Sequence, residues 1–138
     1  MSPDTWEDWR NVANERMVDA RSMLPTRANS VAPVYLAGYA IECSLKALLQ
    51  RRGTGFPTHG SEGHNLRGLW ASVGLTLGDI PGAGGSGTYY IESWSTDLRY
   101  AVTDHFPGTC EEMLTGAVTL VSLIQTRLAR AHSRRRRR

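Results

Sequence analysis

The sequence predicts an all-α protein, a small bundle of four to five helices. Apolar residues recur at helical spacing along most of the chain, and no run of period-two alternation competes with them. Proline, glycine and capping residues fall at the ends of the periodic stretches. With 138 residues, 41% hydrophobic and 21% charged, the chain suits one domain with one core. The expected domain spans 1–132, and a disordered arginine-rich tail follows from 133 to 138.

The first helix is expected to open at Ser2-Pro3, a cap residue with proline at the first helical position. Trp6, Trp9, Ala13, Met17, Ala20 and Leu24 trace one face, Glu7, Asp8, Glu15 and Asp19 the other, and Pro25 ends it. The second helix is expected over 29–52, capped by Asn29 or Ser30. Val34, Gly38, Ile41, Leu45 and Leu48 form its stripe, and further apolar residues widen the stripe almost all round. Such a helix is central in a bundle or an oligomer. Arg51, Arg52 and Gly53 suit its C-terminus. A short helix is expected over 64–73, burying Leu66, Leu69, Trp70 and Val73. A glycine-rich loop over 74–88 leads to a fourth helix over 88–104, and Pro107-Gly108 break the chain. The last helix starts at Thr109, where Thr109 and Glu112 form a capping box.

Charge divides the chain. The net charge is +3, but Arg134 to Arg138 are all arginine, so residues 1–133 carry 11 basic and 13 acidic side chains. The folded part is mildly acidic, with no strongly basic face of the kind nucleic-acid-binding domains present. Two cysteines, Cys43 and Cys110, are too few for a disulfide framework and fit a reduced cytoplasmic protein. Acidic residues crowd the first 20 positions, which argues against a signal peptide. The longest apolar run, Val31 to Ile41, is 11 residues long, too short to cross a membrane.

Several groups carry chemistry on paper. Gly82 to Gly87 spell G-x-G-x-x-G, but without a preceding strand the dinucleotide reading fails and a linker is expected. Glu42 and Lys46 are the only charges between 31 and 49, at the spacing of a helix ion pair. They form either a buried structural pair or two charges reaching solvent at the helix edge. His59 and His64 lack the further ligands a metal needs, so His64 is expected as a capping or loop-packing residue. No metal or cofactor is expected. Arg99 and His105 lie six positions apart where the fourth helix should end. An imidazole that titrates near neutrality beside a phosphate-holding guanidinium can run phosphodiester transfer. The plainer alternative is a helix-end arginine paired with Asp97 or Asp104, and a surface histidine.

The string Tyr35-Leu-Ala-Gly-Tyr-Ala-Ile-Glu42-Cys-Ser-Leu-Lys46-Ala-Leu-Leu, followed by His64-Asn65-Leu66, Leu69 and Asp97-Leu98-Arg99-Tyr100, resembles HEPN domains. The resemblance covers about residues 6–105. It implies an up-and-down helical bundle that forms homodimers. Many HEPN proteins are metal-independent endoribonucleases, some of toxin–antitoxin or phage-defence systems, with an arginine, four to six intervening residues and then a histidine, brought together across the dimer. Arg99 and His105 match that spacing. The histidine would help the 2′-hydroxyl attack phosphorus while the arginine steadies the developing charge. Tyr100 stands where the nuclease motif carries a polar residue, and Pro107 where the toxin branch has tyrosine. The Arg-Tyr string also resembles branches without established nuclease chemistry. The second expectation is therefore a non-catalytic dimer that binds RNA, a nucleotide, or a partner such as an antitoxin or nucleotidyltransferase.

Overall fold

The computed structural model describes residues 3–57, 60–82 and 85–137, with backbone only at 60–61 and 132–137. Ser2, His59, Gly84 and Arg138, and the side chain of His132, lie outside the described residues. The chain forms an all-helical bundle, and no strand occurs among the described residues.

Helix α1 spans Trp6–Ser22. It starts later than expected because Thr5 and Asp8 form a capping box: the Thr5 hydroxyl accepts from the Asp8 N–H at 3.1 Å, and the Asp8 carboxylate accepts from the Thr5 N–H at 3.3 Å. It ends at Ser22, before Pro25. That proline sits in the first turn of a short helix, α2 (Leu24–Arg27), where a missing N–H costs nothing.

Helix α3, Ala32–Arg51, is the axis of the fold. Ser30 supports its start by accepting from the Ala32 N–H at 3.1 Å. Every residue from Ala40 to Leu49 is buried, so that stretch of α3 is enclosed on all sides. The start of α1 lies beside the end of α3, because Trp9 packs under Lys46 and Trp6 under Arg51. The two helices are therefore antiparallel.

Two short helices follow, α4 (Gly60–Gly63) and α5 (Leu66–Ser72). Asn65 caps α5 by accepting from the Gly68 N–H at 3.2 Å. Trp70 is buried, and its indole N–H donates to the Thr76 carbonyl at 2.8 Å.

The single fourth helix expected over 88–104 does not form. Helix α6 covers only Ser86–Glu92, a 3-10 turn covers Thr96–Tyr100, and the chain is irregular from 101 to 109. Trp94 is the cause. Its indole seats against Gly38 in the middle of α3. Ser93 and Trp94 both donate their N–H to the Tyr89 carbonyl, at 2.7 and 3.0 Å, which closes α6. Ser95 then caps the 3-10 turn by accepting from the Asp97 N–H at 3.2 Å.

Helix α7, Cys110–Arg137, packs along α3 and α6. Its capping box is the expected one. The Thr109 N–H donates to Glu112 Oε1 at 2.9 Å and the Glu112 N–H to Thr109 Oγ1 at 3.1 Å. The backbone of α7 is described as far as Arg137.

Three cap carboxylates, Asp8, Asp79 and Glu112, are held below their usual range, first by the backbone N–H groups they accept from. A depressed folded-state pKa gives stability that is present above the unfolded value and lost as pH falls through the folded one. Melting temperature is expected to fall on acidification below the ordinary carboxylate range, less steeply in Thr109→Ala. A pH series of thermal melts checks this.

Candidate functional site

Residues 35, 39, 42 and 46 follow one another at steps of four, three and four, which places them on one face of α3. The buried end of that face carries charge. Lys46 Nζ lies 3.0 Å from Glu42 Oε2, and His64 Nδ1 lies 2.8 Å from Glu42 Oε1. Only 1% of the Lys46 side chain and 3% of that of Glu42 is exposed, against 32% for His64. The Glu42–Lys46 pair is therefore buried, not extended to solvent. Each Glu42 oxygen has a cationic or N–H partner, the condition for keeping a carboxylate in a core. The Lys46 ammonium also lies 5.0 Å from the centre of the Trp9 ring. His64 packs on the fold between α4 and α5, but through Glu42 rather than as a helix cap. The neighbouring Cys43 thiol is pushed up to about 12, by burial and then by the charge of Glu42, so it stays protonated and unreactive at neutral pH.

The other end of the face is aromatic. The Tyr35 and Tyr39 hydroxyls are 3.1 Å apart. The Tyr39 ring meets the His64 ring edge-on at 5.8 Å and the Trp94 ring edge-on at 5.4 Å, while Tyr35 stacks on Trp94 at 6.3 Å. Burial raises the Tyr39 hydroxyl pKa, helped by its bond to Tyr35 and the charge of Glu42 and opposed by Arg99. It remains a proton donor across the physiological range.

Arg99 stands on the exposed 3-10 turn at the outer edge of this aromatic group. Its guanidinium lies 4.8 Å over the Tyr100 ring. Its pKa is raised first by the Tyr100 hydroxyl and to a smaller extent by that of Tyr35. Among the described residues Arg99 forms no ion pair with Asp97 or Asp104; its neighbours are rings. Tyr100 is 75% exposed and Val102 87%.

His105 sits elsewhere. It is exposed, in a shallow cleft of about 290 Å³ that it shares with Thr88, Tyr89, Glu92 and Phe106. Asp104 organises this segment. Its Oδ1 accepts from the His105 N–H at 2.8 Å and its Oδ2 from the Tyr89 hydroxyl at 3.0 Å. Among the described residues no hydrogen bond or ring contact joins Arg99 to His105. The structure thus brings Glu42, Lys46 and His64 together and sets Arg99 beside Tyr100, but leaves His105 in a separate cleft.

Sequence reasoning missed Tyr35, Tyr39 and Trp94 as a group. The heptad-like spacing of 35, 39, 42 and 46 was the available signal for the α3 members; Trp94 joins only through the tertiary fold. Among the described residues no cluster of three His, Cys, Asp or Glu could hold a metal ion, and no described helix is long and apolar enough to cross a membrane. No family model, curated protein or solved structure matches the chain.

Proposed function

We propose that the chain is a HEPN-type protein of the cytoplasm that works on RNA as a homodimer, with Arg99 as its phosphate-binding residue. The observation that carries this is the exposed Arg99–Tyr100 pair. A guanidinium held over a solvent-facing ring offers charge to a phosphate and a stacking surface to the adjoining base. Two free thiols suit a reducing compartment.

In the catalytic form of this reading, Arg99 of one subunit meets His105 of the partner subunit. The imidazole takes the proton of a 2′-hydroxyl, and the freed oxygen attacks the adjacent phosphorus. The bond to the 5′-oxygen breaks, that oxygen leaves with a proton, and a 2′,3′-cyclic phosphate remains. Arg99 stabilises the charge on the phosphoryl oxygens. The exposed Tyr100 directly after Arg99, where the nuclease motif carries a polar residue, favours a second reading, a non-catalytic dimer that binds RNA, a nucleotide, or a partner such as an antitoxin or nucleotidyltransferase.

Single-stranded RNA incubated in EDTA separates the two. Full-length protein and a form lacking residues 133–138 are compared, since five arginines attract RNA without regard to sequence. In the catalytic form, Arg99→Ala and His105→Ala each abolish cleavage with helical content unchanged. Saturable binding without cleavage, weakened about tenfold by Arg99→Ala, supports the binding form. RNA binding that Arg99→Ala leaves untouched in the tail-deleted protein overturns both.

A further inference from the structure

Directly after Tyr100 the chain runs along an open cavity of about 670 Å³. Ala101 is extended, with φ −93° and ψ 140°. Val102 therefore stands about 7 Å beyond Tyr100 along the chain. Ala101 and Val102 line the cavity together with α2 and the segment that joins α2 to α3. Its volume is that of a small-molecule site and accommodates one nucleotide. Among the described residues, two of the four large apolar side chains left exposed, Tyr100 and Val102, belong to this stretch.

Charge selects the ligand. Arg27 is the one charged residue among the described residues that line the cavity. By contrast, Glu92 lines the cleft of His105, and Glu111 lines the groove between α1 and α7. A mildly acidic fold thus presents a cationic cavity beside Arg99 and Tyr100, which favours an anion there.

The polar groups of the cavity are also uncommitted. Thr26, Arg27 and Asn29 are exposed, and among the described residues their side chains make no hydrogen bond, ion pair or ring contact. A guanidinium takes a phosphate oxygen, and a carboxamide offers a donor and an acceptor together, the complement of a base edge. Val31, Ala101 and Val102 add apolar surface for the face of the ring.

We propose that this cavity is a second nucleotide subsite for single-stranded RNA, in which Arg27 holds the phosphate next to the one on Arg99 and Asn29 hydrogen-bonds the base. The proposal rests on the Arg99–Tyr100 reading above. Tyr100 stacks one base, and the strand continues past Val102 into the cavity. The first contact is indifferent to sequence, because every base has a stacking face; the second supplies the base preference.

The test is the salt dependence of single-stranded RNA binding by the full-length chain and its Arg27→Ala, Asn29→Ala and Arg99→Ala variants. All carry the same basic tail, so differences between them belong to the replaced residue. Arg27→Ala and Asn29→Ala are expected to keep the wild-type melting temperature, since neither side chain has a partner to lose. Arg27→Ala is expected to weaken binding about tenfold and to lower the slope of log affinity against log salt by about 0.7, one phosphate contact. Asn29→Ala is expected to keep that slope and to reduce the preference among oligo-A, oligo-C and oligo-U by about fivefold. In NMR spectra of the full-length chain, RNA is expected to shift the Val102 methyl signals and the Asn29 side-chain amide.

If Arg99→Ala weakens binding while Arg27→Ala keeps the wild-type affinity and slope, the subsite is overturned and the Arg99–Tyr100 reading stands. A slope that falls with the Val102 methyl signals unmoved is long-range attraction, and it overturns the subsite too. A base preference that Asn29→Ala leaves unchanged overturns the base contact. Binding that Arg99→Ala leaves untouched fails the earlier reading, and the subsite with it.

Discussion

Glu42→Ala is expected to lower the melting temperature by about 10–20 °C, the largest loss of any single polar substitution in the chain. The substitution leaves the Lys46 ammonium 1% exposed with only the Trp9 ring beside it, and releases His64 from α3. Breaking a buried pair by removing one partner costs about 3–5 kcal/mol, because the remaining charge must be solvated or neutralised. Glu42→Gln keeps the shape and a hydrogen bond to His64 yet removes the charge, so most of the loss is expected to persist. The double variant Glu42→Leu with Lys46→Met is expected to recover much of the stability, since apolar groups of similar volume replace a buried pair at little cost. Thermal melts of the three proteins check this; a Glu42→Ala loss under about 1 kcal/mol would contradict the buried pair.

Gly38→Ala is the second large effect, and its sign is diagnostic. In an ordinary helix interior, alanine is favoured over glycine by about 1 kcal/mol. Here the added methyl group falls on Nε1, Cε2 and Cδ2 of the five-membered ring of the Trp94 indole. Trp94 is 5% exposed and packed against Tyr35 and Tyr39, so it has nowhere to move without displacing them. Overpacking of this kind costs about 1–3 kcal/mol. Gly38→Ala is expected to destabilise by that amount and to red-shift tryptophan fluorescence as the indole is pushed outward. Stabilisation would mean that Trp94 does not seat on α3. Because Trp94 also stops α6 and sets the path to the 3-10 turn, the same variant is expected to move Arg99.

The long elements were legible in the sequence because each carries its own periodicity and punctuation. The all-apolar α3 stripe and the Thr109–Glu112 box can be read without knowing what packs where. The 88–104 stretch misled for the opposite reason. Tyr89, Tyr90, Ile91, Trp94 and Leu98 continue a helical pattern, and no proline interrupts it. What ends α6 is a tertiary demand, a glycine notch 56 positions earlier in the chain that Trp94 fills.

The candidate site divides in the same way. The Glu42–Lys46 pair follows from helical spacing, but its burial depends on α1 covering α3. The bond between Glu42 and His64 spans 22 positions and has no local signature. The Arg99–His105 spacing was visible, whereas the 3-10 turn that holds one and the separate cleft that holds the other were not.

The proposed RNA site is the exposed turn at Arg99 and Tyr100. Its most direct test is a backbone and side-chain NMR titration of protein lacking residues 133–138 with a short single-stranded RNA. Saturable perturbations centred on Arg99, Tyr100 and Tyr35 are expected, which Arg99→Ala removes while the remainder of the spectrum is kept. Perturbations confined to other surfaces, or unchanged by Arg99→Ala, would contradict it.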